Sequence, residues 1–336
     1  MTGDGEFHHV PVMPAEVVAQ LALPEDRPAR LIDCTVGGGG HSAALLEHSP
    51  KLEVLGIDRD PDALDAAVRR LAFAKHRVTL AHGSFSDFPR IAAGIGWDRV
   101  DAILFDLGVS SPQIDRPERG FSWRTSAALD MRMDPSQPLT AARLLNQSGE
   151  EELERIFRDY GEIVGARQLA RAVVARRAEH PFGTTAELVA LCDEVLRKPR
   201  PGAPPPPTLV FQALRIAVND ELGEIERALE AVPAHLVDGG RVAVISFHSL
   251  EDRIVKNFFR RESAGCLCPP GLPVCRCGHR PSLRIVIRKP LVAGAAEVRE
   301  NRRAACAKLR VAERLPVETK QSIHQVKPFD IRRNAP

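Results

Sequence analysis

The stretch Asp33-Cys34-Thr35-Val36-Gly37-Gly38-Gly39-Gly40-His41-Ser42, entered from the apolar Leu31-Ile32 and followed by Leu52-Glu53-Val54-Leu55-Gly56-Ile57-Asp58, decides the fold. It reads as a strand ending in an acid, a run without side chains, and a helix whose first amides are free to meet a ligand. A second strand ends at Asp58, nineteen positions beyond Gly39, where a carboxylate can accept hydrogen bonds from ribose hydroxyls. The dinucleotide fingerprint G-x-G-x-x-G registers on Gly37 and Gly39 but meets Ser42 where its third glycine belongs. A phosphate-loop NTPase is excluded because Gly-Lys-Ser/Thr occurs nowhere in the chain. What remains, an acid, a small residue and two glycines at Asp33, Thr35, Gly37 and Gly39, suits S-adenosylmethionine, which has a ribose and an amino-acid tail but no pyrophosphate. A flexible turn is the alternative reading of the four glycines.

Outward from this loop the same form recurs. Val100 to Asp106 and Arg241 to Ser246 are short apolar runs ending in polar residues, Arg77 to His82 adds a strand, and Pro61 to Val68 is a helix with proline in its first turn. The alternation predicts an α/β fold, a doubly wound, mostly parallel sheet whose ligand site lies at the carboxyl ends of the strands, where Asp33, Asp58 and Asp106 stand. About 135 residues then separate Asp106 from Arg241, far more than one crossover needs. Two stretches of capping-box form, Ser148-Gly149-Glu150-Glu151 and Thr184-Thr185-Ala186-Glu187, lead into helical spacing. The expectation is a discontinuous main domain, 1–121 and 208–336, interrupted by a helical domain over 122–207. Pro199 to Pro207 reads as a stiff connector, Thr208 to Leu229 as one long amphipathic helix, and Leu283 to Arg288 and Lys308 to Ala312 as an antiparallel edge.

At 336 residues and 44% hydrophobic composition the chain has ample material for a buried core. No apolar run approaches the roughly 20 residues of a membrane span, and the start shows no charged-then-apolar leader, so the cytoplasm is the default compartment and no membrane partner is expected. The charge is polarised: 27 Lys and Arg against 38 Asp and Glu up to Asp252, then 19 against 6 from Arg253 onward. The basic end fits a polyanion or a merely solvated surface. Seven cysteines argue against a secreted disulfide framework. Four of them, Cys266, Cys268, Cys275 and Cys277, stand as C-x-C and C-x-C in a turn-rich segment, which points to a structural zinc clip, or else to free thiols or reversible disulfides.

Six blocks in order carry a family resemblance: Cys34 to Ser42, Leu104 to Gln113, Glu118 to Ser122, Leu129 to Asp134, Phe211 to Ile216, and Ser246 to Lys256. With matching stretches from His9 to Arg314, the chain closely resembles the bacterial 16S ribosomal RNA (cytosine-N4)-methyltransferases, the MraW or RsmH family. The resemblance implies a class I, Rossmann-like methyltransferase with a helical insertion, acting with S-adenosyl-L-methionine on the exocyclic N4 of a decoding-centre cytidine of 16S rRNA in the small ribosomal subunit. It also implies cofactor contacts from Gly39, Gly40, His41, Asp58, Phe85, Asp106 and Gln113. A non-catalytic, S-adenosylmethionine-binding assembly factor is the alternative, and the oligomeric state stays open, a homodimer included. Two segments depart from the family pattern: Pro206-Pro207-Thr208-Leu209 lacks an arginine, and Asn301-Arg302-Arg303-Ala304-Ala305-Cys306 replaces a run containing proline. Neither falls in the glycine loop.

Methylating an exocyclic amine requires acceptors that draw its protons and free its delocalised lone pair, with the reactants held in line. The Asp/Asn-Pro-Pro-aromatic turn of many amino-methyltransferases is absent, Asp106-Leu107-Gly108-Val109 standing in its place. Asp106 is therefore the leading catalytic candidate, with Ser110, Ser111 and His248 as supporting polar groups. Phe121, Trp123 and Phe247 are candidates to stack on a flipped base, or ordinary core residues.

Overall fold

A computed structural model describes residues 11–110, 113–114, 116–197, 201–269 and 274–316. In chain order the elements are α1 (Pro14–Leu21), β1 (Ala29–Asp33), α2 (Gly40–His48), β2 (Leu52–Asp58), α3 (Pro61–Arg70), β3 (Val78–His82), α4 (Phe88–Gly94) and β4 (Val100–Asp106). Four helices follow, α5 (Ala141–Gln147), α6 (Glu150–Asp159), α7 (Ala166–Glu179) and α8 (Thr185–Val195), then α9 (Pro206–Asn219) and α10 (Glu221–His235). The chain returns through β5 (Leu236–Ser246), α11 (Ser249–Glu262), β6 (Leu283–Ile285), α12 (Ala295–Glu300) and β7 (Lys308–Arg314).

The strands form one sheet in the order β3-β2-β1-β4-β5-β7-β6. It is parallel through β5, and β7 runs antiparallel between β5 and β6. This is a doubly wound, Rossmann-like sheet, with the order reversing between β1 and β4. Successive residues on each strand serve opposite faces. Ile32, Leu55, Ile103 and Val244 join Phe88, Ile225, Val232 and Phe258 on one side. Leu31, Val54, Leu104 and Ala243 join Val17, Leu45, Ala67 and Leu71 on the other. With both faces covered, the strands read as near-continuous apolar runs.

A third core, including Leu145, Phe157, Leu169 and Leu188, gathers α5 to α8 and extends onto Val210, Phe211 and Leu214 of α9. The Thr184 box forms as expected, with the Glu187 carboxylate returned to the Thr184 amide. The Ser148 box does not: Ser148 closes α5 through its amide to Leu144, and Gly149 takes the N-cap of α6. The long helix expected over 208–229 is two helices, because Asp220 adopts φ 48° and ψ 38° and turns the chain. The break turns Asn219 inward, its side chain bonding the Met131 carbonyl and the Met133 amide, each at 2.8 Å. Pro206 and Pro207 form the first turn of α9, where a missing N–H costs nothing, while Pro199 and Arg200 of the expected connector lie outside the described residues. The strand expected over 283–288 stops at Ile285.

Gly120 shows how tightly the segment after β4 is held. Its φ is 72°, and a Cβ there would overlap the Ala128 carbonyl oxygen and meet the Asp130 amide nitrogen at 2.8 Å. Neither backbone atom can yield cheaply, so Gly120→Ala is expected to lower stability by about 2 kcal/mol or more, read as a reduced urea midpoint at unchanged slope. Wild-type stability in the variant would show that this turn relaxes freely.

Candidate active site

The chain after β1 turns across the strand ends. Val36 donates its amide to Ile57, and Gly37, at φ 50°, donates its own to the Asp58 carboxylate at 2.9 Å. The Asp60 amide occupies the other Asp58 oxygen at 2.9 Å. On the opposite side Thr35 Oγ1 accepts the Asp106 amide at 2.6 Å. The loop is thus tied to β2 and to β4 at once. Asp33 lies beneath it, receiving the Ser42 hydroxyl at 2.6 Å, so Ser42 serves as a hydrogen-bond donor where a dinucleotide loop would need glycine.

A cleft of about 280 Å³ opens above these strand ends. Gly37, Asp58, Phe85, Asp106, Ser110 and Gln113 line it, joined by Phe247 and His248 from the β5 end. Phe85 is braced edge-on against Phe105 at 5.9 Å between centroids, and the Arg59 guanidinium lies 5.6 Å from its ring centre. Arg59 is itself fixed by the Asn219 carbonyl at 2.9 Å and the Ser84 hydroxyl at 3.1 Å. Gln113 fastens the post-β4 loop, donating to Asp60 at 2.8 Å and accepting the Ser110 amide at 3.0 Å. Gly39, Gly40 and His41 stand behind this wall: Gly39 is the N-cap of α2, and His41 Nε2 meets the Val12 carbonyl at 2.8 Å. Phe121 and Trp123 pack against the helical core instead of the cleft, and Ser111 lies outside the described residues.

The acids of the cleft divide by partner. Burial pushes Asp33 and Asp58 up to about 6, against the hydrogen bonds each accepts. Asp106 goes further, to about 7, through burial and then the nearby Glu251 charge. Its Oδ1 is buried with no hydrogen-bond partner among the described residues. His41 Nδ1 stands 3.6 Å from Oδ2, but burial holds His41 below its ordinary pKa, so it supplies little positive charge. Glu251 behaves oppositely. Burial opposes its charge, yet His248, Arg215 and the Phe247 amide keep it below the usual carboxylate range.

His248 caps α11, its Nδ1 facing the Glu251 amide at 3.4 Å, while Nε2 stands 3.1 Å from Glu251 Oε1, off the line of a good hydrogen bond. Arg215 is clamped by Glu221 through two contacts of 2.7 and 2.9 Å. Glu221 is thus engaged by Arg215, and Glu251 by the Phe247 and His248 amides, so both carboxylates of the Glu221, His248 and Glu251 cluster already have partners. Arg215 and Glu251 lie inside sequence blocks that carry the family resemblance, but the Arg215–Glu221 pair depends on the helix break at Asp220. Asn301, Arg303 and Cys306 also line the cleft, although sequence reading set their segment apart from the cofactor loop.

A profile described as the MraW methylase family matches residues 6–315. The chain belongs to the MraW methylase family. It is 50% identical over 317 residues to a Heliobacterium modesticaldum protein named ribosomal RNA small subunit methyltransferase H, covering 92% of this chain and 99% of that one. A Geobacter sulfurreducens protein of the same name is 50% identical over 314 residues, with the same coverage. Among solved structures, a putative rRNA methylase from Clostridium thermocellum aligns over 91% of this chain and all of its own at 12% identity and a TM-score of 0.42. That likeness is too distant to add to the sheet order of this MraW-family chain.

The folded Asp106 carboxyl keeps its proton to a higher pH than the unfolded chain does, so it favours folding in acid and withdraws that support as pH rises through about 7. Relative to wild type, Asp106→Asn should therefore gain stability between pH 5 and pH 8, by roughly 2 kcal/mol, in denaturation series across that range. A difference that stays flat with pH would place the Asp106 pKa near its ordinary value.

Proposed function

We propose that this protein transfers the methyl group of S-adenosyl-L-methionine to the exocyclic N4 of a cytidine in the decoding centre of 16S rRNA, on the small ribosomal subunit. One observation carries the reading: a buried carboxyl titrating near neutrality, with an unpartnered oxygen, on the cleft of a methylase-family chain. The names of the curated relatives supply the RNA class. The residues fit the cofactor. Asp58 has lone pairs left for ribose hydroxyls, Phe85 offers a flat apolar wall for the adenine, and Gln113, held by Asp60, lines the same cleft. Gly39, Gly40 and His41 shape the turn from behind, and Asp106 faces the methionine end. When bound, S-adenosylmethionine supplies an electrophilic sulfonium methyl. Asp106 accepts an N–H of the cytosine amine, which frees the nitrogen lone pair, and takes up the proton the amine releases. A pKa near 7 lets the same carboxyl accept that proton and return it to water.

Outside the cleft, Lys256, Arg260, Arg288, Lys289 and Arg310 surround a shallow groove floored by Phe259, Ile285 and Ile287. This basic surface suits an RNA backbone. The same reading divides the chain into a methyltransferase domain, 1–121 and 208–336, and a helical insertion, 122–207, with the buried face of α9 packed into the helical core.

Incubated with labelled S-adenosylmethionine and small subunits lacking the modification, the protein is expected to place one methyl on the N4 of a decoding-centre cytidine, located by mass spectrometry of digested RNA. Label on a ring carbon or a ribose oxygen would overturn the assignment, and no turnover on a competent subunit would favour the assembly-factor reading. Asp106→Asn should depress transfer far more than cofactor affinity, whereas equal losses would leave Asp106 a binding residue only.

Asp58→Ala removes a buried hydrogen-bond acceptor and should weaken S-adenosylmethionine binding by about 1.5 to 3 kcal/mol, roughly ten- to a hundredfold in calorimetry. Unchanged affinity in a folded variant would put the ribose elsewhere.

A further inference from the structure

The connection from α11 to β6 brings four thiols into one cluster. Cys266 Sγ lies 3.4 Å from Cys275 Sγ and 3.8 Å from Cys277 Sγ. Cys275 lies 3.9 Å from Cys268 and 3.5 Å from Cys277, and all four sulfurs fall within 4.8 Å of one another. Disulfides would bring two sulfurs to about 2.05 Å, and thiols splayed into solvent would show no common spacing. A metal at about 2.3 Å from each of four sulfurs sets a tetrahedral edge of about 3.8 Å, which is the spacing seen here.

The backbone supports the same chemistry. The amides of Leu267, Cys268 and Arg276 point at Cys277, Cys266 and Cys268 Sγ respectively, each at 3.3 Å. Three N–H donors aimed at sulfur disperse the negative charge that four thiolates gather, the usual outer support of a tetrathiolate site. The base of the loop is anchored as well: His279 Nε2 meets the Arg261 carbonyl at 3.0 Å, and the Ser282 amide donates to the Glu262 carbonyl at 2.9 Å. Cys306 and the buried Cys34 and Cys192 stand apart from this cluster.

We propose that Cys266, Cys268, Cys275 and Cys277 bind one zinc ion as a closed, structural tetrathiolate site. Four protein ligands leave no open position, so the ion has no part in catalysis. The four thiols give up their protons to solvent as the ion binds. Its role is mechanical: among the described residues of the loop Leu267 and Val274 are exposed, so the metal stands in for a core and fixes the connection between α11 and β6. The inference is independent of the RNA substrate.

Full-length protein purified from zinc-replete cells should carry one zinc per chain by elemental analysis, with four sulfur neighbours in its X-ray absorption spectrum. Cobalt exchange should give thiolate charge-transfer and tetrahedral d–d bands. Cys268→Ser and Cys275→Ser should each lose most of the metal, while Cys306→Ser keeps it. Because a cysteine variant can misfold, the wild-type protein is also stripped by chelator, and limited proteolysis should then cut between Ala264 and Ser282 at least tenfold faster while the far-ultraviolet dichroism holds. Metal-free protein with seven reactive thiols, a mass lowered by two disulfides, or stoichiometric iron would each overturn the proposal.

Discussion

Two hydrogen bonds hold the site in register: Gly37 N–H to the Asp58 carboxylate, and Asp106 N–H to Thr35 Oγ1. Both start in the loop after β1, the strand with β2 on one side and β4 on the other. A parallel sheet leaves its strand ends as independent termini, with nothing in the ladder to fix their spacing beyond the last pair. The loop supplies that missing constraint. Because Asp58 and Asp106 are each reached from it, the distance across the cleft is set by one short loop, through a backbone amide paired with a side-chain acceptor on each side.

The cleft stores charge unevenly. Glu221 and Glu251 have Arg215 and His248 beside them and stay committed to structure. Asp33, Asp58 and Asp106 have backbone or hydroxyl donors at most, and burial raises all three. An acid kept buried with so little compensation costs stability, and two of the three, Asp58 and Asp106, line the cleft where a ligand would meet them. Arg59 contributes differently, its ion pair with Glu224 at 3.6 Å leaving the guanidinium 5.6 Å from the Phe85 ring centre.

The sheet was legible because its signal is local. The central parallel strands β1, β2 and β4 are largely buried on both faces, so each appears as a mostly apolar run that ends in an acid. The Thr184 box was legible for the same reason. What failed depended on contacts distant in sequence. The one local sign of a break is the Asn219-Asp220 pair, residue types that tolerate the left-handed region, and what fixes it is distant in sequence, the backbone around Met131 and Met133 that Asn219 then reaches. Ser148 offered a correct N-cap pattern but was already used to close the preceding helix. The roles of Arg215, Glu251 and Arg303 could not be read from spacing, because α9, α11 and the segment before β7 meet only in the folded molecule.

The position of β7 gives the molecule an order of assembly. Strand β6 has no partner except β7, and β5 presents an open edge until β7 slots between them. The wall of the cleft at Asn301, Arg303 and Cys306 belongs to this same late stretch. During synthesis, therefore, the glycine loop and the three acid-tipped strands emerge early, yet they face an unfinished cavity for more than half of the chain's length. The nascent protein passes through a stage with an exposed β5 edge, the kind of edge that recruits other strands. Helix α11, made before β7, is held on the face of the sheet beside that edge by Val255, Phe258 and Phe259.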